Sequence, residues 1–382
     1  MKFIGEKAKN IAPLFQKVLA RVLHRRVLHV ILVVFALMVL VVIIRLFLLA
    51  NTIIVEQTVD YEYENFSVKE EEDRIDVLLL GIRGESDPAG GLLADTMILM
   101  SFDKSTEKMS MVSIPRDLFV EFPDIQIDEC SNLPEAIIPL PEDRKVKINA
   151  AYAVGRSCNP NGGLEMAKEV VQYVSGVHVD YAAVINFTGF KRLIEIFGGV
   201  EITLEQPFIE RQQWQGEEQK DNKYWRYYTA EPTEGDANKK GGYWEFHVPA
   251  GTNVLDSESA LYYIRSRFSS SDFDRARRQQ QVINALKDKA LSSGVLSNPK
   301  KVFDSLESIG RNVRTDMSIS DMKMILSLMK QHQLVVPTQE VLQPGEGGLL
   351  ESQIIDGAYV IVPTQGDWSA VRHHFQDILN EE

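Results

Sequence analysis

Residues 28–50 read LHVILVVFALMVLVVIIRLFLLA, an apolar run interrupted only by His29 and Arg45. A helix of about 20 predominantly apolar residues crosses the hydrocarbon core of a bilayer. No face of the run is polar, so a helix resting on a soluble core fits poorly. A cleaved signal peptide fits less well than an anchor, because its apolar region is normally shorter and ends in a small-residue cleavage site. The reading is one uncleaved transmembrane helix over 28–50, with the Arg45 side chain reaching to the interface. Residues 1–27 carry Lys2, Lys7, Lys9, Lys17, Arg21, Arg25 and Arg26 against the single Glu6. Positive charge favours the inner side, so this basic segment is expected in the cytoplasm. Everything after residue 50 is then expected outside, held at the cell membrane by a single pass.

The 382-residue chain has a formal net charge of −13, and the basic N-terminal segment leaves the remainder more acidic still. An acidic body repels the phosphate backbone, so nucleic acid is not an expected partner. Only Cys130 and Cys158 are present. Outside a membrane a disulfide between them is chemically permitted, and two free thiols fit the sequence equally well. The seven histidines are scattered without metal-ligand spacing, so a zinc site is not expected.

Residues 51–73 are polar and acidic and read as a stalk; 74–382 read as one extracytoplasmic domain. IDVLLLG (Ile75–Gly81) suits a buried strand in a sheet covered on both faces, followed by strands at TMILMSF and KMSMVSIP. Residues 121–145 are a proline-rich loop. NAAYAV, GGLEMAKEVVQYVSG and FTGFKRLIEIFGG read as helices, and YAAVINF and VEITLE as strands. An aromatic-rich stretch at about 206–247 reads as an insertion or long hairpin whose rings either contact sugar or pack among themselves. Two helices surround the segment 260–281, two more lie at about 298–310 and 319–330, and DGAYVIVP and WSAVRHHFQDIL give a last strand and helix. The alternation says α/β, with sites expected beyond the carboxyl ends of the strands.

The segment 260–281, ALYYIRSRFSSSDFDRARRQQQ, gathers Arg265, Arg267, Arg275, Arg277 and Arg278 without a lysine. Asp256 or Ser257 caps a first helix, and the SSS run suggests that it has ended before Arg267. Extended backbone would bring the Arg265 and Arg267 side chains to one face, converging on one spot. A second helix starts near Ser271 or Asp272. On its wheel Arg275 and Gln279 share the buried stripe of Ile283, Leu286 and Ala290, Arg278 borders it, and Arg277 points to solvent. Arginine in a first helical turn opposes the macrodipole, and on a core-facing stripe it is costly unless paired. A bound phosphate resolves both conflicts; pairing with Asp272 and Asp274 in a structural network, including Asp274 with Arg278, is the competing account.

The chain also resembles the LytR-CpsA-Psr family. The resemblance runs from about Ile75 to Ala290 through LLLG, DTMIL at Asp95, SIPRD at Arg116, KINAAYA at Lys147, FGGVEIT, ALYYIRSR and DFDRARRQQ, in that order. It implies an extracytoplasmic α/β domain, with a mixed central sheet flanked by helices, that binds a polyprenyl pyrophosphate in a hydrophobic tunnel. It implies a phosphotransferase that moves a glycopolymer from a polyprenyl-pyrophosphate carrier to peptidoglycan, with Mg²⁺ assisting. Residue by residue, Arg116, Arg265, Arg267, Arg275, Arg278 and Gln279 match its pyrophosphate-binding positions. Asp95 matches an acid expected near the metal, Asp95 and Arg116 are the catalytic candidates, and Asp272 is a supporting acid.

Two positions depart from the family pattern. Arg83 stands where an aspartate is usual, and Leu93 where an arginine is usual. The expectation is that a positive charge has moved between the two loop positions, with Glu85 or Asp87 substituting as an acid. Two other functions remain open on the sequence: a hydrolase acting on the same lipid-linked glycan, and a non-enzymatic sensor of lipid pyrophosphate. The latter has little cytoplasmic chain with which to signal.

Overall fold

The computed structural model describes residues 53–380 apart from 57–58, 60, 86–90, 126–129, 131–142, 212–221, 229–242, 293–308 and 332–336. The expected cytoplasmic segment and the membrane anchor at 28–50 lie outside the described residues, as do Asp87 and nearly all of the helix expected at 298–310. Among the described residues no helix is long and apolar enough to cross a membrane.

Strands β1 (Arg74–Ile82), β2 (Ala94–Asp103) and β3 (Met109–Ser113) stand where their short apolar runs predict strands, and they pair as an antiparallel meander. Pro115 follows β3 and cannot extend the ladder. A short hairpin of β4 (Phe119–Glu121) and β5 (Lys145–Lys147) brackets the proline-rich loop. Helices α1 (Ala151–Cys158) and α2 (Gly162–Ser175) come next, and a disulfide between Cys130 and Cys158 staples the loop to the end of α1. Strand β6 (Tyr181–Asn186) returns parallel to β1 and feeds α3 (Phe187–Ile196), whose first turn is capped by the Asn186 side chain accepting from Gly189 N–H at 2.8 Å.

Strand β7 (Val200–Leu204) pairs with β11 (Gly251–Leu255), and β8 (Phe208–Glu210), β9 (Trp225–Tyr228) and β10 (Tyr243–Val248) form a separate three-stranded sheet. Helices α4 (Ser257–Arg265) and α5 (Asp272–Ser292) carry the arginines. The chain closes with β12 (Val313–Thr315), α6 (Ile319–Gln331), β13 (Thr338–Val341), the hairpin β14 (Leu350–Ile355) and β15 (Ala358–Pro363), and α7 (Ser369–Asn380).

The central sheet is mixed, in the order β12-β6-β1-β2-β3-β13. Strands β1, β3, β6 and β13 run one way; β2 and β12 run the other. Side chains alternate between its faces. Leu78, Leu80, Met97, Leu99 and Val112 pack with Met166, Val170 and Val174 of α2 and Phe375 of α7 in the main core. Each fully buried aliphatic side chain there contributes about 1.5–3 kcal/mol. The opposite face is only partly covered: Val77, Leu79, Met100 and Phe102 remain half-buried. There Val77, Leu79, Met100, Phe102, Ile325 and Leu328 line an apolar groove of about 230 Å³ between the sheet and α6.

One expectation needs correction. Residues 51–73 were expected to form a stalk, yet Ile53, Val55 and Tyr61 are buried against the domain. Val55 N–H donates to Thr315 O at 2.7 Å, and the Tyr63 ring stacks on Tyr173 at 4.1 Å. The acidic composition concealed apolar residues spaced to dock. The described part of the aromatic stretch is chiefly a packing cluster: Phe246 lies against Trp225, Tyr224 and Tyr262, in a second core with Val282 and Leu286 of α5.

Candidate functional site

A cavity of about 390 Å³ opens at the carboxyl ends of β1, β3 and β13, where the start of β2 meets the first turns of α5. Its polar lining includes Asp95, Arg116, Asp117, Lys147, Arg275 and Gln279. Gly81 keeps the adjoining sheet surface close, because a Cβ there would stand 2.9 Å from the Cβ of Thr96, which lines the cavity. The cavity takes side chains from both faces of the sheet: Thr96 lies on the face of the groove, with Met100 and Phe102, whereas Met97, Leu342 and Ile361 belong to the main core on the other face.

Arg116 sits in the turn after β3, where Leu118 N–H donates to Pro115 O. Its guanidinium lies between three carboxylates: Asp95 Oδ1 at 2.5 Å, Asp117 Oδ2 at 3.4 Å and Asp272 Oδ2 at 3.5 Å. Lys147 reaches Asp117 at 2.6 Å, because the β4–β5 pairing sets Phe119 opposite Lys147. Arg83 follows a bulge at the end of β1, and Gly84 (φ 126°) turns the chain away in a conformation that a side chain would resist. The Arg83 Nε donates to Asp95 Oδ2 at 3.2 Å. Burial pushes the Asp95 carboxyl up, but the Arg116 and Arg83 guanidinium groups outweigh it and hold the carboxyl below the ordinary aspartate range.

Helix α5 begins with a reciprocal cap: Ser271 N–H donates to Asp274 Oδ2 at 3.0 Å, and Asp274 N–H to Ser271 Oγ at 3.1 Å. As the wheel predicts, Arg275 and Gln279 are buried and both line the cavity. Arg275 Nη1 is 3.4 Å from Asp272 Oδ1. Burial lowers the Arg275 guanidinium, Asp272 pulls it back, and Arg116 and Arg267 repel it, so it ends below the usual arginine range. A buried cation with incomplete compensation is an anion-binding feature.

Arg278 is placed differently from the expectation. It does not line the cavity. Its Nε donates to Tyr263 O at 2.9 Å, Nη1 to Ser270 Oγ at 3.0 Å and Nη2 to Ser266 O, and its guanidinium lies over the Phe208 ring at 4.8 Å. It fastens α5 to the end of α4. Asp274 pairs with the exposed Arg277 at 3.2 Å and not with Arg278, whose backbone partners lie closer to its reach. Arg265 and Arg267 do not converge: Arg265 is the last residue of α4 with its guanidinium over Phe187 at 4.4 Å, while Arg267 is exposed beyond Ser266. Neither lines the cavity.

Sequence reasoning assigned no role to Asp117 or Lys147, although both lie in quoted motifs; the only signal was the adjacency of Asp117 to Arg116. The Arg83 departure is answered by its contact with Asp95. Glu85 is drawn to Arg156 Nη2 at 2.6 Å and does not act as the substitute acid in this arrangement. The implied Mg²⁺ fits poorly, because guanidinium groups already hold both Asp95 oxygens. No cluster of three His, Cys, Asp or Glu side chains able to hold a metal occurs among the described residues.

Comparison with known proteins places the chain in a family and a fold. The chain is 28% identical over 289 residues to the polyisoprenyl-teichoic acid–peptidoglycan teichoic acid transferase TagU of Oceanobacillus iheyensis, covering 75% of this chain and 72% of that protein. It is 26% identical over 252 residues to TagT of Bacillus subtilis, which bears the same transferase description, covering 65% and 62%. The crystal structure of B. subtilis TagV shares the fold, with a TM-score of 0.53, 21% identity and coverage of 82% of this chain and 100% of that one. Residues 45–376 match the LytR_cpsA_psr family throughout, and the chain belongs to that family.

Proposed function

We propose that this chain is a membrane-anchored phosphotransferase that moves a glycopolymer from a polyprenyl-pyrophosphate carrier to peptidoglycan outside the cell. The observation that carries the reading is the cavity in which buried Arg275 and half-buried Arg116 meet, with an apolar groove elsewhere on the same sheet. A diphosphate headgroup suits the former and a prenyl chain the latter. The Cys130–Cys158 disulfide suits an oxidising exterior, and the 28–50 run supplies the anchor.

In this reading Arg116 and Arg275 grip the diphosphate and Gln279 borders it. An acceptor hydroxyl attacks the phosphorus that bears the glycopolymer. The new P–O bond forms as the bond to the bridging oxygen breaks, and polyprenyl phosphate leaves with that oxygen. Arg116 and Arg275 stabilise the charge that accumulates on the leaving phosphate. Asp95 receives the hydroxyl proton; its affinity for that proton rises once the headgroup draws Arg116 away. Asp272 keeps Arg275 oriented. Mass spectrometry of lipid that co-purifies with the full chain in detergent tests the donor class, with a polyprenyl pyrophosphate expected. Assays with and without peptidoglycan separate transfer from hydrolysis: release of free glycopolymer phosphate without acceptor would replace the transferase by a hydrolase.

A further inference from the structure

Asp95 is the acid at which a divalent cation would be sought, and its two oxygens point at fixed cations instead. Oδ1 meets Arg116 Nη1 at 2.5 Å and Oδ2 meets Arg83 Nε at 3.2 Å. A hard cation bound through a carboxylate takes one of those oxygens as a ligand and gathers further oxygens around it. The acid that follows Arg83 in the chain, Glu85, is turned to Arg156. The cluster's fixed charge already favours an anion. Arg83, Arg116, Lys147 and Arg275 face Asp95, Asp117 and Asp272, and Arg267 adds its field at Arg275.

Resting on the transferase reading, we propose that Arg83 takes the place of a divalent cation at the donor diphosphate, so that this chain binds and turns over its donor without Mg²⁺. The guanidinium stays charged throughout the working pH range and grips two phosphoryl oxygens in its plane. It sheds less hydration than an ammonium on entering such a contact. Entry of the headgroup moves Arg83 and Arg116 from the Asp95 carboxylate to phosphoryl oxygens, so each guanidinium exchanges one anion for another. Arg83 is not itself in the cavity wall and reaches it through Asp95; being only partly buried, it can be changed without disturbing the core packing.

The test uses the full chain in detergent, with farnesyl diphosphate as the probe, titrated by calorimetry in excess EDTA and again with Mg²⁺. Wild-type binding is expected to be the same in both. Arg83→Ala is expected to lose about tenfold or more in EDTA, the loss of one charge-assisted contact. Arg83→Asp sets a second carboxylate beside Asp95 and is expected to take up Mg²⁺ in the absence of diphosphate and to bind the probe only with it. Circular dichroism confirms that each variant is folded, and Arg83→Lys, which keeps the charge but loses the planar two-oxygen grip, should bind in EDTA between wild type and Arg83→Ala. Wild-type binding that disappears in EDTA and returns with Mg²⁺ overturns the proposal and leaves the transferase reading standing. So does an Arg83→Ala chain that binds like wild type in EDTA. A wild-type chain that binds no diphosphate in either condition removes both.

Discussion

The guanidinium of Arg275 stands 3.4 Å from the carboxylate of Asp272, one turn earlier on the same helix, and this is its one ion pair among the described residues. Arg278, three residues on, makes no ion pair among those residues and donates to two backbone carbonyls and a serine hydroxyl. Two buried arginines on one helix therefore have opposite duties.

Arg275→Ala should abolish transfer while leaving the domain as stable as wild type or more so. The side chain is a buried cation whose removal relieves desolvation, whereas loss of one positioned donor typically costs about 10²–10³ in rate. Transfer rates in membranes and thermal denaturation of the purified chain check the two halves separately.

Arg278→Ala should do the reverse of a pure binding defect. Two carbonyls and a hydroxyl lose their partner inside the protein, so stability should fall by about 3 kcal/mol. Urea midpoints measure the loss, and calorimetry with a prenyl diphosphate at low temperature should find near-normal affinity in the folded fraction.

Burial, with Glu165 and Glu62 nearby, raises Glu169 from 4.5 to about 7 even though Gln172 and the Tyr63 backbone N–H bond to it. A carboxyl whose folded value lies above its unfolded one stabilises the fold in its protonated form. That contribution is complete below about pH 4.5 and is lost as the pH rises through about 7. Wild type should therefore match Glu169→Gln in melting temperature near pH 5 and fall below it near pH 8. Equal melting at both pH values would show that the carboxyl is not strained. Since Tyr63 docks over this residue, the connector should be more accessible to protease at the higher pH.

Cys130→Ser with Cys158→Ser opens a loop of 28 residues in sequence separation. The chain-entropy estimate for such a loop is roughly 3–4 kcal/mol. Reductant should lower the wild-type denaturation midpoint to that of the double variant and leave the variant itself unmoved.

The helix wheel was legible because Arg275 and Gln279 share a stripe with Leu286 whatever the rest of the fold does. What Arg278 touches was not legible. Its partners are carbonyls at 263 and 266, and only the packing of α4 on α5 brings them within reach. Asp117 and Lys147 are 30 residues apart and meet through a hairpin of three-residue strands, too short to announce itself in periodicity. The three strands β1, β2 and β3 were legible as apolar runs, and their antiparallel pairing was not. The half-open second face was not legible either, because Val77 and Leu79 are as apolar as Leu78 and Leu80 and only the covering helix decides which are sealed.

One guanidinium, that of Arg116, answers to Asp95, Asp117 and Asp272 together. The resting domain thus supplies its own counter-ions, and an incoming anion must outcompete them at each grip. Small monovalent anions, which present no rigid array of oxygens, cannot do so at several points at once. The resting pocket is in effect a lock set against chloride, opened by a ligand that displaces several carboxylates in a single step.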